Sequence, residues 1–572
     1  MEYVDCPTTY SYTPLPSPDH IRLLHFHNVG PNDGALPKAS IVVKALPMKD
    51  DCFAFETVSY TWGAPKRVAS FVVDGSTGAI GLTLNLTQAL PHLASISVTG
   101  YLWIDQLCIN QKDLEEKAQQ VSIMDKIYKA AFRVLVWLGP GDQYSILVRE
   151  WLEGLEEWLK SRDDAQRTLV EKVNFNPNIR MLVVRSSWIQ LGAGSKYALA
   201  ARRFWGRHWF HMIFDDEDME HTTAYNTLMN LKRFPFTDRQ PLRFLQFMAH
   251  AASQFEATLL VDRLCAFLGM LDDKCTFVPN YSRSVRYNFT AFAVSLARSY
   301  ESIDFLSLWS AIIDAKIEST PEPLRDFPSW VPAWTWIPLL IPHRLAAGAT
   351  RAYFNPVTWN ACLSRPHIYF QTEDAIETER LHVRGQVIDH VNNISSCKID
   401  RFSEGVDNDY LDSIVHQIQS DLPKSGYDGW RRNELVRFLD VVSHNGQPPK
   451  QSVEDVLGLV PKGWGSDLVN DKVVGYNETL ISALSMGRGR RFITTKEGRL
   501  GLVPFVGSHG RSENSAGSAI VVLHGCCVPV VLNPVDREKN TWTVVGDCYI
   551  EQAMHGEIVD WEVQDAEAFI LV

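Results

Sequence analysis

The sequence predicts an α/β protein with a parallel-sheet core near its amino terminus, a helical middle region and a β-rich carboxy-terminal domain. The first observation lies between residues 102 and 140, where an apolar strand, an amphipathic helix and a second apolar strand follow one another, as in a βαβ unit. The second is a series of short β-branched runs beyond residue 376, separated by glycine, asparagine and proline at hairpin-like intervals. We therefore expect an α/β core with a helical insertion at 1–215, a helical region at 216–375 and a β-rich domain at 376–572.

Besides the two strands of the βαβ unit, three further strands are predicted in the amino-terminal region, and the helix of that unit can be located. The runs IRLLHF at 21–26, SIVVKAL at 40–46 and FETVSYTWG at 55–63 are rich in β-branched and aromatic residues, which favour strands. A helix over 113–131 follows from apolar residues at three- and four-residue spacing, namely Val121, Met124, Ile127, Tyr128 and Ala131.

The middle region is predicted to be helical and the carboxy-terminal region to be built of hairpins. Helical patterns cover 145–175 and recur within 222–302, including NFTAFAVSLARSY at 288–300. The predicted strands and hairpins beyond them lie at 381–391, 491–504, 519–532 and 541–550.

Composition limits the classes of partner. A formal net charge of −12 and a pI near 5.8 argue against nucleic-acid binding, which needs a concentrated basic face. The 10 cysteines show no spacing typical of a metal site, and no metal or other cofactor is expected. The longest apolar run, WIPLLIP at 336–342, is too short to span a bilayer, and the first residues lack the pattern of a signal peptide. We expect a soluble, cytoplasmic protein without a membrane partner, whose oligomeric state stays open.

Polar and aromatic residues follow the predicted strands at the edge where an open parallel sheet accommodates ligands. Asp105 there is equally consistent with a general base or ligand contact and with a cap for the following loop. Tyr60 and Trp62 either stack on a planar ligand or pack in the core. Cys108 has no base nearby in sequence, which favours a packed thiol over a nucleophile. Glu116 begins a helix, where the dipole stabilises a carboxylate, and is also the best remaining carboxylate for hydrolysis.

Several motifs in a fixed order resemble those of the fungal heterokaryon-incompatibility (HET) domain. SYTWG, LWIDQLCINQ and WLGP resemble the amino-terminal HET core, and VDRLCAFLGM with VPNYSRSV resembles segments that follow it. The stretches after residue 490 resemble the carboxy-terminal half of longer family members. This resemblance implies a TIR/flavodoxin-like parallel-sheet core, although a fold by itself does not define an activity.

The resemblance also implies a change at the family's acidic position. HET proteins carry a WFxRxWxxQE segment, and some relatives on the TIR scaffold hydrolyse NAD through a glutamate. The matching stretch here is FWGRHWFHMI at 204–213, which keeps Arg207 and Trp209 but has Met212 and Ile213 in place of glutamine and glutamate. Loss of a carboxylate that stabilises a ribosyl cation lowers the rate by roughly three orders of magnitude or more, so NAD hydrolysis is disfavoured.

The first functional hypothesis is a HET-fold protein repurposed as a cofactor-independent catalyst in fungal terpenoid or polyketide metabolism. Association with such pathways in this family suggests a pericyclic, Diels–Alder-type ring closure of a small apolar substrate, which needs a shaped apolar cavity and a hydrogen-bond donor. The candidate catalytic residues are His211, His208, Arg207, Tyr60, Asp105 and Glu116, and the candidate substrate-binding residues are Trp62, Trp205, Trp209, Met212 and Ile213. The sequence favours by a small margin a purely structural interpretation of residues 204–213, as an aromatic helix docked on the sheet with one exposed histidine.

The alternative hypothesis is a heterokaryon-incompatibility or cell-death protein. Such a protein acts by binding a partner, or by residual NAD hydrolysis through Glu116. A degenerate paralogue with a purely structural role is also consistent with the sequence.

Overall fold

The described residues of the computed structural model form two compact units. They are 9–27, 35–46, 53–76, 78–137, 139, 140, 257, 259–266, 268, 271, 275–309, 327–332, 334, 359–367, 374–396, 408–422, 490–504, 516–561 and 566–572. The first unit contains the described residues up to 140 together with 268 and 278–282, and the second contains the others.

The first unit is built on a mixed five-stranded sheet with the strand order β2-β1-β6-β3-β7. The strands β6, β3 and β7 run parallel, whereas β1 is antiparallel to both of its neighbours. A separate hairpin is formed by β4 and β5. The strands of this unit are β1 His20–Phe26, β2 Ala39–Ala45, β3 Glu56–Tyr60, β4 Arg67–Val72, β5 Ala79–Thr83, β6 Tyr101–Trp103 and β7 Arg133–Trp137.

The predicted βαβ unit is confirmed, with one feature that the sequence does not indicate. The chain crosses from β6 to β7 through helices, but β3 lies between these two strands in the sheet. The central strand is therefore contributed by an earlier segment, and its residues Phe55 to Val58 are buried. As a result, the SYTWG segment and the LWID segment end at the same edge of the sheet.

The helices of the first unit are α1 Leu84–Ile96, α2 Asp105–Cys108, α3 Leu114–Ser122 and α4 Met124–Ala130. The Asp113 carboxylate caps α3 by accepting hydrogen bonds from the backbone N–H groups of Glu115 and Glu116. The prediction of one continuous helix over 113–131 is wrong, because Ile123 leaves the helical conformation at φ −108° and ψ 6°. The side chain of Ile123 is buried in the core cluster, which fixes the residue at the break between α3 and α4.

One of the helices described in the second unit had been predicted from the sequence. The helix predicted at 288–300 is confirmed by α6, which Ser284 caps at its start and Glu301 ends in the left-handed conformation. The predicted segment at 145–175 lies outside the described residues. The helices are α5 Leu260–Cys265, α6 Val285–Tyr300, α7 Ala375–Thr378 and α8 Asn408–Asp421, with a 3₁₀ helix at Asp304–Trp309. None of the described helices has the length and apolar character needed to cross a membrane.

The predicted β-rich carboxy-terminal region is an eight-stranded sheet. Five of its strands close a ring in the order β8-β11-β12-β13-β15, because β15 and β11 both pair with β8. The other three continue the sheet from β8 in the order β9-β10-β14. The hairpin over 491–504 is confirmed by β9 and β10, whereas β15 was not predicted. The strands are β8 Leu381–Ile394, β9 Arg490–Thr495, β10 Leu500–Pro504, β11 Ala519–Leu523, β12 Val530–Asp536, β13 Thr541–Asp547, β14 Tyr549–Ile550 and β15 Glu567–Leu571.

A buried ion pair joins two strands of this sheet. The guanidinium of Arg490 lies 2.9 Å from the Asp547 carboxylate, and their side chains are 2% and 0% exposed. Arg490 also donates a hydrogen bond to the backbone carbonyl of Asp547 at 2.9 Å. Because both charges are removed from water, each depends on the other for compensation.

Replacing Arg490 by methionine is expected to lower the free energy of unfolding of the second unit by about 3–5 kcal/mol, because the buried Asp547 charge loses the cation that it is paired with. Denaturant unfolding of the purified chain measures this loss. The matched control is Arg283→Gln at the exposed pair with Glu377, which should change stability by about 1 kcal/mol or less. Equal effects of the two substitutions would contradict the assigned role of the Arg490 pair.

Candidate functional site

The carboxyl ends of three parallel strands meet at one edge of the first sheet. β3 ends at Tyr60, β6 at Trp103 and β7 at Trp137, and the residues that follow each strand therefore lie at the same edge. Such an edge is where open sheets with parallel strands place their ligands. Three of the predicted site residues, Tyr60, Trp62 and Asp105, are brought together here.

Asp105 and Trp62 form the centre of this edge. The Trp62 indole Nε1 donates a hydrogen bond to Asp105 Oδ2 at 2.8 Å, and the Gln106 backbone N–H donates to Asp105 Oδ1 at 2.7 Å. Some of the Asp105 side chain remains accessible to solvent, yet protein atoms surround its carboxyl group. Burial raises the pKa of Asp105 and outweighs the opposing effects of these two donors, of the Tyr60 hydroxyl and of the Lys117 charge. The site thus contains a carboxylate whose charge is incompletely compensated.

Two phenol groups face this carboxylate. The Tyr60 hydroxyl is buried and interacts with the Asp105 carboxyl through a weak, long hydrogen bond. Burial raises the pKa of Tyr60, and the charge of Asp105 raises it further. The Tyr128 hydroxyl donates to the Val58 carbonyl at 3.1 Å, and its pKa is raised by the same two causes. Both hydroxyls therefore stay protonated at neutral pH and can serve as neutral hydrogen-bond donors.

Arg67 lies beside the same cluster. Its guanidinium carbon is 5.6 Å from the centroid of the Trp62 ring, which is within the range of a cation–π contact. The charge of Arg67 lowers the pKa of Tyr60 and so opposes the effect of Asp105. We define the cluster of Tyr60, Trp62, Arg67, Asp105 and Tyr128 as the edge site. Aromatic rings, one anion and one cation give it the means to bind a planar or polar ligand.

Two residues that the sequence did not identify hold the SYTWG turn in place. The Asn85 side chain donates to the Thr61 carbonyl at 2.5 Å, and Trp137 Nε1 donates to Asn85 Oδ1 at 2.8 Å. His92 stacks on Trp137 with ring centroids 5.3 Å apart. The position of Trp137 at the end of a parallel strand could have indicated its place, whereas nothing in the sequence indicates Asn85.

Glu116 belongs to a separate, buried network. Its two carboxylate oxygens accept hydrogen bonds from Arg22 at 2.6 and 2.9 Å, and Oε1 also accepts from the Asn110 backbone N–H at 2.8 Å. The side chains of Arg22 and Glu116 are 1% and 10% exposed. Arg22 further donates to the Thr13 carbonyl at 2.6 Å and to the Cys108 carbonyl at 3.2 Å. A carboxylate bound in this way is poorly suited to act as a general base.

A second buried glutamate, Glu56, is compensated by donors. It accepts hydrogen bonds from Ser97, Val98 and Thr99 and is paired with Arg133. Burial acts to raise the pKa of Glu56, but the donors and the Arg133 charge together lower it. Glu56 therefore has a stabilised charge, in contrast to Asp105.

The Cys108 thiol is buried in the hydrophobic core of the first unit. Its sulfur accepts a weak hydrogen bond from the Ile104 backbone N–H at 3.4 Å. Burial raises the pKa of the Cys108 thiol to about 12. At neutral pH the group is a thiol and not a thiolate, which makes it a poor nucleophile.

The other predicted site residues lie outside the described residues. They are Trp205, Arg207, His208, Trp209, His211, Met212 and Ile213. Within the described part of the chain, no group of three or more histidine, cysteine, aspartate or glutamate side chains is arranged to hold a metal ion.

Comparison with known proteins identifies the family. The family model described as "Heterokaryon incompatibility protein (HET)" matches residues 55–211, and the "Het-6 beta-barrel domain" matches residues 469–572. "Heterokaryon incompatibility protein 6, OR allele" from Neurospora crassa is 36% identical over 700 aligned positions, which cover 99% of this chain and 98% of that protein. The chain belongs to the heterokaryon incompatibility family. No solved structure matches it.

The family assignment changes the balance between the two functional hypotheses. The HET match includes β3, β6 and β7, so the edge site lies within the HET domain. The comparisons favour the heterokaryon-incompatibility hypothesis and give no support to a cyclase of secondary metabolism.

Replacing Glu116 by glutamine is expected to lower the free energy of unfolding by about 3–5 kcal/mol, because Arg22 is left as a buried, uncompensated cation. The double replacement Arg22→Met with Glu116→Leu should be less destabilising than Glu116→Gln alone. Denaturant unfolding followed by tryptophan fluorescence measures both. Lys129→Gln at the exposed pair with Asp125 is the control and should alter stability by about 1 kcal/mol or less.

The stability of the Asp105→Asn variant, relative to that of the unchanged chain, is expected to increase as pH rises. A carboxyl with a raised folded-state pKa contributes its full stability below the unfolded-state value near 3.8 and loses it as pH rises through the folded-state pKa. The free energy of unfolding of Asp105→Asn, relative to the unchanged chain, should therefore increase between pH 4 and pH 7. Glu56→Gln, whose site has a lowered pKa, should change in the opposite direction. A pH-independent difference for Asp105→Asn would refute the assigned environment.

Proposed function

We propose that this protein is a heterokaryon-incompatibility determinant, which acts in fungal cell recognition through the edge site of its HET domain. The observation that carries the proposal is the 36% identity to the Neurospora crassa incompatibility protein over nearly the whole length of both chains. The two family matches lie at opposite ends of this chain, so the likeness covers both the HET domain and the carboxy-terminal barrel domain.

We favour recognition of a ligand or partner over NAD hydrolysis as the mode of action. Glu116, the carboxylate to which the sequence assigned residual hydrolysis, has both oxygens engaged by Arg22. At the position that the resemblance matches to the family's glutamate, this chain has Ile213, an alkyl side chain that cannot stabilise a ribosyl cation. Both features argue against a hydrolytic mechanism, and neither argues against binding.

The edge site offers the chemistry that binding requires. Asp105 can accept a hydrogen bond from a ligand, because burial leaves its charge incompletely compensated. The Tyr60 hydroxyl offers a donor, and the Trp62 ring offers an apolar face. When a ligand donor displaces solvent from an incompletely compensated carboxylate, the hydrogen bond between the donor and the carboxylate is strong. The cyclase hypothesis for a small apolar substrate stays a prediction that rests on residues 204–213.

Expression of the chain in Neurospora crassa is expected to reduce the growth of heterokaryons and to increase the fraction of cells that take up a vital dye, relative to empty vector. Trp62→Phe, which removes the donor to Asp105, should weaken both effects at equal protein level. Asp125→Asn, at the partner of an exposed ion pair, is the matched control and should retain them. Normal growth and viability with the unchanged chain would oppose the proposal.

A biochemical measurement separates binding from catalysis. Purified protein incubated with NAD is expected to release no nicotinamide above the rate in buffer. Release that Glu116→Gln abolishes, while the variant remains folded by circular dichroism, would instead assign a hydrolytic mechanism to this chain.

A further inference from the structure

The proposed function leaves one charged group of the edge site, Arg67, without a role. Arg67 begins β4 and is exposed to solvent, and its guanidinium lies over the Trp62 ring. Within the described part of the chain, no ion pair joins Arg67 to a carboxylate. By contrast, Arg22 and Arg133 in the same unit are each paired with a buried glutamate. The positive charge of Arg67 therefore faces solvent, where an anion can reach it.

The hairpin of β4 and β5 directs the Arg67 side chain towards Trp62. A Cβ atom built on Gly81 of β5 would lie 3.1 Å from Arg67 Cγ, which is closer than an ordinary contact. Glycine at this position therefore gives the aliphatic stem of Arg67 room that a larger residue would restrict. The pairing register also shifts between Arg67 and Ala69, and irregularities of this kind change the direction of side chains. The hairpin thus holds the guanidinium over the indole.

Trp62 contacts both a cation and an anion. The guanidinium carbon of Arg67 lies 5.6 Å from the centroid of the Trp62 ring, and the indole Nε1 donates to Asp105 Oδ2 at 2.8 Å. Charges of opposite sign therefore lie beside a single indole. A ligand with a ring of similar size can contact Arg67 through one end and Asp105 through the other.

Lys117 limits the kind of group that Asp105 can accept from a ligand. Burial raises the pKa of Asp105, and the charge of Lys117 is among the effects that oppose this increase. The Lys117 ammonium lies 4.4 Å from the centroid of the Tyr281 ring. Lys117 would repel a cationic ligand group at Asp105, whereas it would not repel a neutral N–H or O–H donor. The surroundings of Asp105 therefore favour a neutral donor.

We infer that the edge site binds a planar aromatic ligand that carries an anionic group at one end and a neutral hydrogen-bond donor at the other. The anion pairs with Arg67, the donor binds Asp105, and the ring packs against Trp62. Phenolic and indolic carboxylates belong to this class. The inference rests on the proposed function, because it names the class of ligand that the edge site recognises.

Calorimetric titration of the full chain with para-hydroxybenzoate, at neutral pH and constant ionic strength, tests the inference. Saturable binding is expected, because this probe combines a carboxylate, an aromatic ring and a phenolic donor. Benzoate lacks the donor and para-hydroxybenzyl alcohol lacks the charge, so each should bind at least about tenfold more weakly. Equal affinities for para-hydroxybenzoate and benzoate would contradict the contact between the donor and Asp105.

Arg67→Gln is expected to weaken the binding of para-hydroxybenzoate by about tenfold or more and to leave that of para-hydroxybenzyl alcohol unchanged, because only the first probe carries a charge that pairs with the guanidinium. Since Arg67 is exposed, the variant should keep the circular dichroism spectrum of the unchanged chain. Lys126→Gln, at an exposed cation on α4, makes the same change in net charge and is the matched control. It should leave both affinities unchanged.

The binding and growth measurements separate this inference from the proposed function. Absence of saturable para-hydroxybenzoate binding, or equal affinities of the Arg67→Gln and Lys126→Gln variants, would overturn the inference even if the chain reduces heterokaryon growth. Normal heterokaryon growth, together with binding that depends on Arg67, would support the ligand class and oppose the role in cell recognition.

Discussion

The first unit depends on the bidentate ion pair between Arg22 and Glu116. Arg22 projects from β1, and its guanidinium also binds the Thr13 carbonyl of the preceding segment and the Cys108 carbonyl at the end of α2. Glu116 projects from the first turn of α3 and accepts the Asn110 N–H of the connecting loop. One buried pair thus fixes a strand, two helices and the segments between them. Because α2 begins at Asp105, this pair also fixes the backbone that positions the edge site.

The negative charges of the buried carboxylates in the first unit are compensated to different extents. Glu116 is neutralised by a buried cation, and Glu56 by Arg133 together with hydroxyl and backbone donors. Asp105 has an indole donor and one backbone donor, and burial raises its pKa. Packing alone does not require a charge at such a position, since a neutral side chain would fill it at a smaller desolvation penalty. A carboxylate that opposes stability is typical of a functional site.

Features determined by local sequence could be predicted, and those that depend on distant partners could not. The hairpin at 491–504 and the helix at 288–300 follow from alternation, turn residues and helical spacing within a few residues. The insertion of β3 between β6 and β7 depends on pairing between separate segments, which no local pattern encodes. The pair of Arg22 and Glu116 spans 94 positions, so the sequence identified Glu116 as a candidate acid but not its partner. The break at Ile123 was missed because burial of one side chain outweighs an otherwise regular helical pattern.

The edge site shows how much a strand-end pattern can indicate about function. The sequence placed Tyr60, Trp62 and Asp105 at one edge because parallel strands end together, and the structure joins Trp62 to Asp105 across 43 positions. It could not distinguish Asp105 from Glu116, since both are acidic residues near helix starts. The distinction comes from their partners: Arg22 neutralises Glu116 through a direct ion pair, whereas the hydrogen bonds to Asp105 within the described residues come from neutral donors and the Lys117 charge stabilises Asp105 less directly. A ligand that brings a donor or a cation would therefore gain more at Asp105 than at Glu116, and this difference supports the binding role proposed for the edge site.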